Sequence, residues 1–161
     1  SRDEDWYQLT IPQQGASQLE LGQGEDNPYS NAAWKVKLYD INRHQLGDFK
    51  GRGGKTYVLG LAPGKYYVQV KQETRHGEQD TYNLRMNYTA SNSWEKEIYY
   101  GDKNIANANI AYENKVYTGN LYSTSDVDWY RFKLAGNNKL FLRFAMDDTV
   151  TKACKWKVEL L

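Results

Sequence analysis

The sequence predicts an all-β fold, an antiparallel β-sandwich of jelly-roll type present as tandem, incomplete copies. Three observations carry that reading. Apolar and aromatic residues alternate with polar ones at period two in short runs. Clusters of Gly, Pro, Asn and Asp separate those runs at short intervals. Blocks from the beginning of the chain return, in the same order, near its end.

The alternating runs come in sequence order as follows. Tyr7, Leu9 and Ile11 face inward on the first strand, followed by Trp34, Val36 and Leu38, then Tyr57, Leu59 and Leu61. Tyr66, Val68 and Val70 form the next inward set, and Tyr82, Leu84, Met86 and Tyr88 the last of the first half. Lys50-Gly51-Arg52-Gly53-Gly54 and Ala62-Pro63-Gly64-Lys65 read as turns between them. The 14 Tyr, 5 Trp and 4 Phe favour pleated strands and the 13 Gly supply turns, so helix is expected to be scarce. Many short strands at this spacing indicate a sandwich, and 161 residues suffice to bury a real core.

The repeat sets the domain organisation. Asp3-Glu4-Asp5-Trp6-Tyr7-Gln8-Leu9 is echoed by Asp126-Val127-Asp128-Trp129-Tyr130-Arg131-Phe132. Gln18 to Leu21 then matches Lys139 to Leu142, and Trp34 to Leu38 matches Trp156 to Leu160. The spacing, roughly 120 residues, is a domain length and exceeds the period of a solenoid or propeller unit. Residues 1–90 therefore form a first unit without its N-terminal segment, and residues 91–161 the start and middle of a second that can complete the first. Ser91 to Asn109 reads as the linker, because Asn92, Asn104, Asn107 and Asn109 favour local turns over a ladder. Tyr117 to Leu121 reads as the first strand of the second unit, and Tyr130, Phe132 and Leu134 as inward residues of its next strand. Open sheet edges in each unit lead us to expect strand exchange within the chain or in a homodimer.

Charge and motif content narrow the function classes. With 21 basic against 20 acidic residues there is no field to draw in nucleic acid, and no apolar run is long enough for membrane insertion by a helix. The single cysteine, Cys154, excludes an intrachain disulfide and reads as a small, semi-buried apolar residue. His44 and His76 both sit in polar, turn-like contexts with no nucleophile motif nearby, so no enzyme activity is expected. Carboxylates are more informative, since a hard cation such as Ca²⁺ takes six to eight oxygens from closely spaced acidic and amide residues. Glu95, Glu97, Asp102 and Asn104 fall together at the linker and form the candidate metal set. Asp126 and Asp128, like Asp3 and Asp5, are expected to cap the turn entering the Trp-Tyr strand. Trp6, Tyr67, Trp129 and Phe141 fall on the outward phase, where aromatic rings either pack at edges or stack on a ligand.

Five blocks together carry a family resemblance: Trp94 to Glu97, Asn107 to Ile110, Tyr117 to Leu121, Asp126 to Phe132, and Leu61 to Val68. In this order they resemble the bacterial pre-peptidase C-terminal domain, which is similar to the collagen-binding domains of clostridial collagenases. The resemblance implies a β-sandwich appended to a secreted or cell-surface protein, without catalysis of its own. It further implies calcium at a Glu-x-Glu pair in the linker, here Glu95 and Glu97, although Ile98-Tyr99-Tyr100 replaces the polar residues that follow that pair in the collagen-binding domains. The expected function is that of an accessory module binding a substrate, surface or partner, such as a protein or polysaccharide polymer, or assisting export and maturation. The alternatives are a structural spacer in a tandem array and a carbohydrate-binding module. A contiguous strip of outward Tyr and Trp favours binding, and a charged, patch-free face favours the spacer.

Overall fold

The computed structural model describes residues 3–23, 33–51, 55–73, 81–99, 103–121, 125–137, 139–145 and 156–161. Asp102, His76, Cys154 and the turn residues 52–54 lie outside the described residues.

Seven strands build two facing antiparallel sheets: β1 (Glu4–Ile11), β2 (Gly15–Gln23), β3 (Trp34–Tyr39), β4 (Gln45–Gly51), β5 (Lys55–Leu61), β6 (Gly64–Gln72) and β7 (Tyr82–Ala90). The first sheet has the order β1-β6-β3-β4 and the second β5-β2-β7. This is the predicted all-β, sandwich-like architecture, and the described residues contain no α-helix.

Side-chain alternation explains the packing directly. In β3 every second residue is buried, with Trp34, Val36 and Leu38 turned inward and Lys35, Lys37 and Tyr39 outward. Val36 lies opposite Phe49 of β4 and Val70 of β6, so three inward side chains fall in one row. Ile11, Leu46, Tyr66 and Val68 complete the inner face of the first sheet and meet Leu19, Leu21, Leu59 and Leu61 of the second. Each such burial stabilises by about 1.5–3 kcal/mol relative to an exposed side chain. Tyr57, Tyr82, Leu84, Met86 and Tyr88 are partly buried around this core.

Tyr7 differs from expectation. It keeps the inward phase but is 41% exposed, because β1 is an edge strand and the Tyr7 hydroxyl instead meets that of Tyr82 at 2.6 Å. Tyr82 in turn donates to Asp5 at 2.6 Å.

Residues 91–161, read from the sequence as a second unit, differ more. Those described contribute a single ladder, β8 (Asn109–Ile110) running parallel to β9 (Tyr130–Arg131). Tyr117 to Leu121 forms no strand, although Thr118 makes a parallel bridge to Trp94. Phe132, Leu134, Leu142 and Val158 are exposed, and Phe141 is 88% exposed. The blocks they echo, β1, β2 and β3, are paired with β4, β5, β6 and β7, whereas among the described residues of 126–161 only Tyr130–Arg131 takes part in a ladder. Alternation selects a face, but a ladder also needs a neighbouring strand to receive its hydrogen bonds.

Candidate functional site

The linker is tied down along the free edge of β5. Gly60 accepts a hydrogen bond from the Glu97 amide at 2.7 Å, and Val58 accepts one from the Asn120 side chain at 2.7 Å. The Gln14 side chain donates to the Trp94 carbonyl at 2.7 Å, and the Glu95 amide donates to Thr118 at 2.9 Å. These bonds hold 94–97 extended, so Glu95 and Glu97 point to one side while Lys96 points to solvent.

Two glycines make the approach possible. A Cβ at Gly60 would lie 1.9 Å from the Glu95 carbonyl oxygen, and one at Gly119 would lie 2.8 Å from the Glu95 side-chain carboxyl carbon. Either is shorter than van der Waals contact, so bare backbone on both sides is what admits Glu95.

Asp126 and Asp128 repeat the same two-residue geometry from the other side, with Val127 turned outward. Lys103 lies between the two acidic pairs, its side chain 6% exposed. Its ammonium is 2.8 Å from Glu97 Oε1 and 3.4 Å from Asp128 Oδ1, and it is hydrogen-bonded to Asp126. The Glu97 side chain is fully buried; the Lys103 contact is off the hydrogen-bonding direction of Oε1, and Oε2 faces no donor among the described residues. Glu95 Oε1 accepts from the Asn120 amide at 2.7 Å.

Burial dominates the electrostatics. It pushes the Glu97 carboxyl up to about 7, a rise that the Lys103 ammonium opposes and Asp126 and Asp128 reinforce. Glu95 is raised well above the carboxylate range by burial first, then by sharing a hydrogen bond with Asp128 and by that residue's charge. Burial disfavours the Lys103 ammonium, yet its close contacts with the Asp126 and Glu97 carboxylates outweigh this and raise it. Burial, followed by the charges of Glu95 and Asp128, raises the neighbouring Tyr130 phenol.

Of the residues read from the sequence as metal ligands, Glu95 and Glu97 belong to this cluster. Asn104 does not bring its oxygen to it: Asn104 Oδ1 caps the 3-10 turn Ile105–Asn107, accepting from Ala106 at 2.9 Å and Asn107 at 3.3 Å. Asp126 and Asp128 require a correction, since their carboxylates face Lys103 in a buried ionic cluster and do more than cap a turn. Lys103 was not legible as a member; the available signal was a lysine lying between two acid pairs at i, i+2 spacing. His44 also departs from a free loop histidine, because its ring stacks on Tyr99 with centroids 4.3 Å apart and its Nδ1 lies 3.2 Å from Asp40 Oδ2.

The cluster as arranged already contains a cation. The Lys103 ammonium stands against Glu97 and Asp126, and no set of three or more acidic, His or Cys groups suited to a metal occurs among the described residues. The unpartnered Glu97 Oε2 is the one feature that suits an added cation.

Of the outward aromatics, Trp6 and Tyr67 lie on the outer face of the first sheet beside Tyr39, whereas Trp129 is half-buried next to the cluster and Phe141 is exposed. Compared with known proteins, the chain matches no family model and no curated sequence.

Proposed function

We propose that this chain is a non-catalytic accessory module of a secreted or cell-surface bacterial protein, as the resemblance to the pre-peptidase C-terminal domain implies, and that it binds a polymeric substrate, surface or partner. The observation that supports this reading is the outer face of the first sheet. Trp6 is 54% exposed there and packs on Tyr39 with ring centroids 5.5 Å apart, forming with Tyr67 the contiguous aromatic strip that a mere spacer has no use for. The test is retention of the whole chain on a panel of insoluble protein and polysaccharide polymers. Retention by one polymer class, weakened by Trp6→Ala, supports binding; a folded chain retained by none of them leaves the spacer.

The spacer reading has its own support in the linker, whose backbone and buried charges fasten it to the edge of β5. Calcium is a subsidiary proposal: the ion binds through Glu95 and Glu97 when Lys103 withdraws, and the orphaned Glu97 Oε2 becomes a ligand.

A further inference from the structure

We infer that the outer face of the sheet β1-β6-β3-β4 is a binding platform for an acidic polysaccharide, one carrying uronate carboxylates or sulfates on its sugar rings. The inference rests on the accessory-module reading and specifies its ligand.

The strand registers place the outward residues. Gln8, Tyr67, Tyr39 and Gln45 form one row across the four strands, and Trp6, Gln69, Lys37 and Asp48 form the next. Trp6 reaches across β6 to Tyr39, and the two rings cover Gln69, which is buried. Gln69 is itself held at both ends, accepting from the Tyr39 hydroxyl at 3.3 Å and donating to Glu4 at 2.8 Å. The rings therefore stand on a hydrogen-bonded support, which lowers the entropy lost when a ligand settles on them. Strand spacing makes the strip from β1 to β3 about 10 Å wide, room for a short run of pyranose rings.

The chemistry of this face selects a sugar over a peptide. Outward positions of the four strands hold aromatic, amide, hydroxyl and charged side chains but no aliphatic one, so there is no pocket for apolar peptide side chains. A sugar ring presents C–H groups to an aromatic face and hydroxyls around its rim. The Gln8 and Gln45 amides at the ends of the row can each both donate to and accept from such hydroxyls.

Charge selects an acidic glycan. Five lysines, Lys35, Lys37, Lys50, Lys65 and Lys71, point outward against three acids, Glu4, Asp48 and Glu73. Lys35 pairs with Asp48 at 2.9 Å, Lys71 with Glu4 at 3.0 Å and Lys50 with Glu73 at 2.7 Å. Lys37 and Lys65 make no ion pair among the described residues, and each lies two residues along its strand from a platform tyrosine, Lys37 from Tyr39 and Lys65 from Tyr67. Two cations flanking a row of rings complement carboxylates or sulfates spaced along a glycan chain.

The experiment is isothermal titration of the whole chain with polygalacturonate, dextran sulfate and neutral hydroxyethylcellulose, at low and high salt. Binding to one or both acidic polymers, weaker in high salt and absent with the neutral one, is expected. Trp6→Ala should weaken it at least about tenfold and Trp6→Phe should restore most of it. The double variant Lys37→Gln, Lys65→Gln should weaken it and flatten its salt dependence. Unchanged urea unfolding of these variants separates lost contacts from lost fold. Failure to bind either acidic polymer, or binding indifferent to Trp6→Ala, overturns the inference. Trp6-dependent binding to the neutral glucan overturns it as well while leaving the accessory-module reading standing.

Discussion

Replacing Lys103 by methionine keeps the length of the side chain and removes its charge from a site where Glu97 is fully buried and Asp126 nearly so. Removing one partner of a buried ion pair commonly costs about 3–5 kcal/mol, because the charge left behind has lost both water and counterion. The carboxylates have an escape, which is to take up protons. Glu97 is raised from 4.5 to about 7 even with Lys103 in place, and without the ammonium it must rise further. A carboxyl whose folded pKa exceeds its unfolded value binds more protons in the folded state. Its stabilising contribution is complete below about pH 4.5 and is lost as pH rises through the folded value. In the parent chain that contribution amounts to about 3 kcal/mol for Glu97, at 1.36 kcal/mol per pKa unit. The variant should therefore be near parental stability at pH 5 and markedly less stable at pH 8. Urea unfolding followed by tryptophan fluorescence measures this, with amide exchange at Glu95, Glu97 and Asn120 locating the loss. Equal destabilisation at both pH values, or less than about 1 kcal/mol at pH 8, would refute the argument that Lys103 neutralises buried carboxylates.

Gly60→Ala places a methyl group 1.9 Å from the Glu95 carbonyl oxygen, so limited proteolysis should cut within 91–121 faster while the β1–β7 body resists as before. Calcium is expected to raise the thermal midpoint relative to chelator, and to raise it more in Lys103→Met, where the competing ammonium is gone; Glu95→Gln should remove the difference, and midpoints independent of calcium in both proteins would end the calcium proposal. Leu38→Ala empties a fully buried position between β4 and β6 and should cost about 2–5 kcal/mol in denaturant titrations.

The β1–β7 body was legible because each of its alternating runs has the partners its pattern asks for. Trp34, Val36 and Leu38 face a second sheet, and the polar residues between them face water. The same pattern in Tyr130, Phe132 and Leu134 yields only a two-residue ladder, since periodicity records which way side chains point and is silent on whether a neighbouring strand exists. Within the site, Glu95 and Glu97 were visible as an acidic pair from their spacing. Asp126 and Asp128 were visible as a pair but not as partners of this cluster, because their contacts with Lys103, 23 and 25 residues away, depend on how 94–97 lies on β5. Lys103 was the least legible: a lysine in a polar linker is ordinarily solvated, and its burial follows only once four carboxylates have converged. The outward strip was partly visible, as Trp6 and Tyr67 have the outward phase, but Tyr39 joins them through the β3–β6 register alone.

The two bare positions around Glu95 lie far apart in the sequence, Gly60 on β5 and Gly119 well beyond the acidic pair, and the segment they grip lies between them. The seat of residues 94–97 is thus encoded on both sides of it. A graft of 91–161 onto another β-strand body would succeed or fail on a residue of β5 that the grafted segment does not carry.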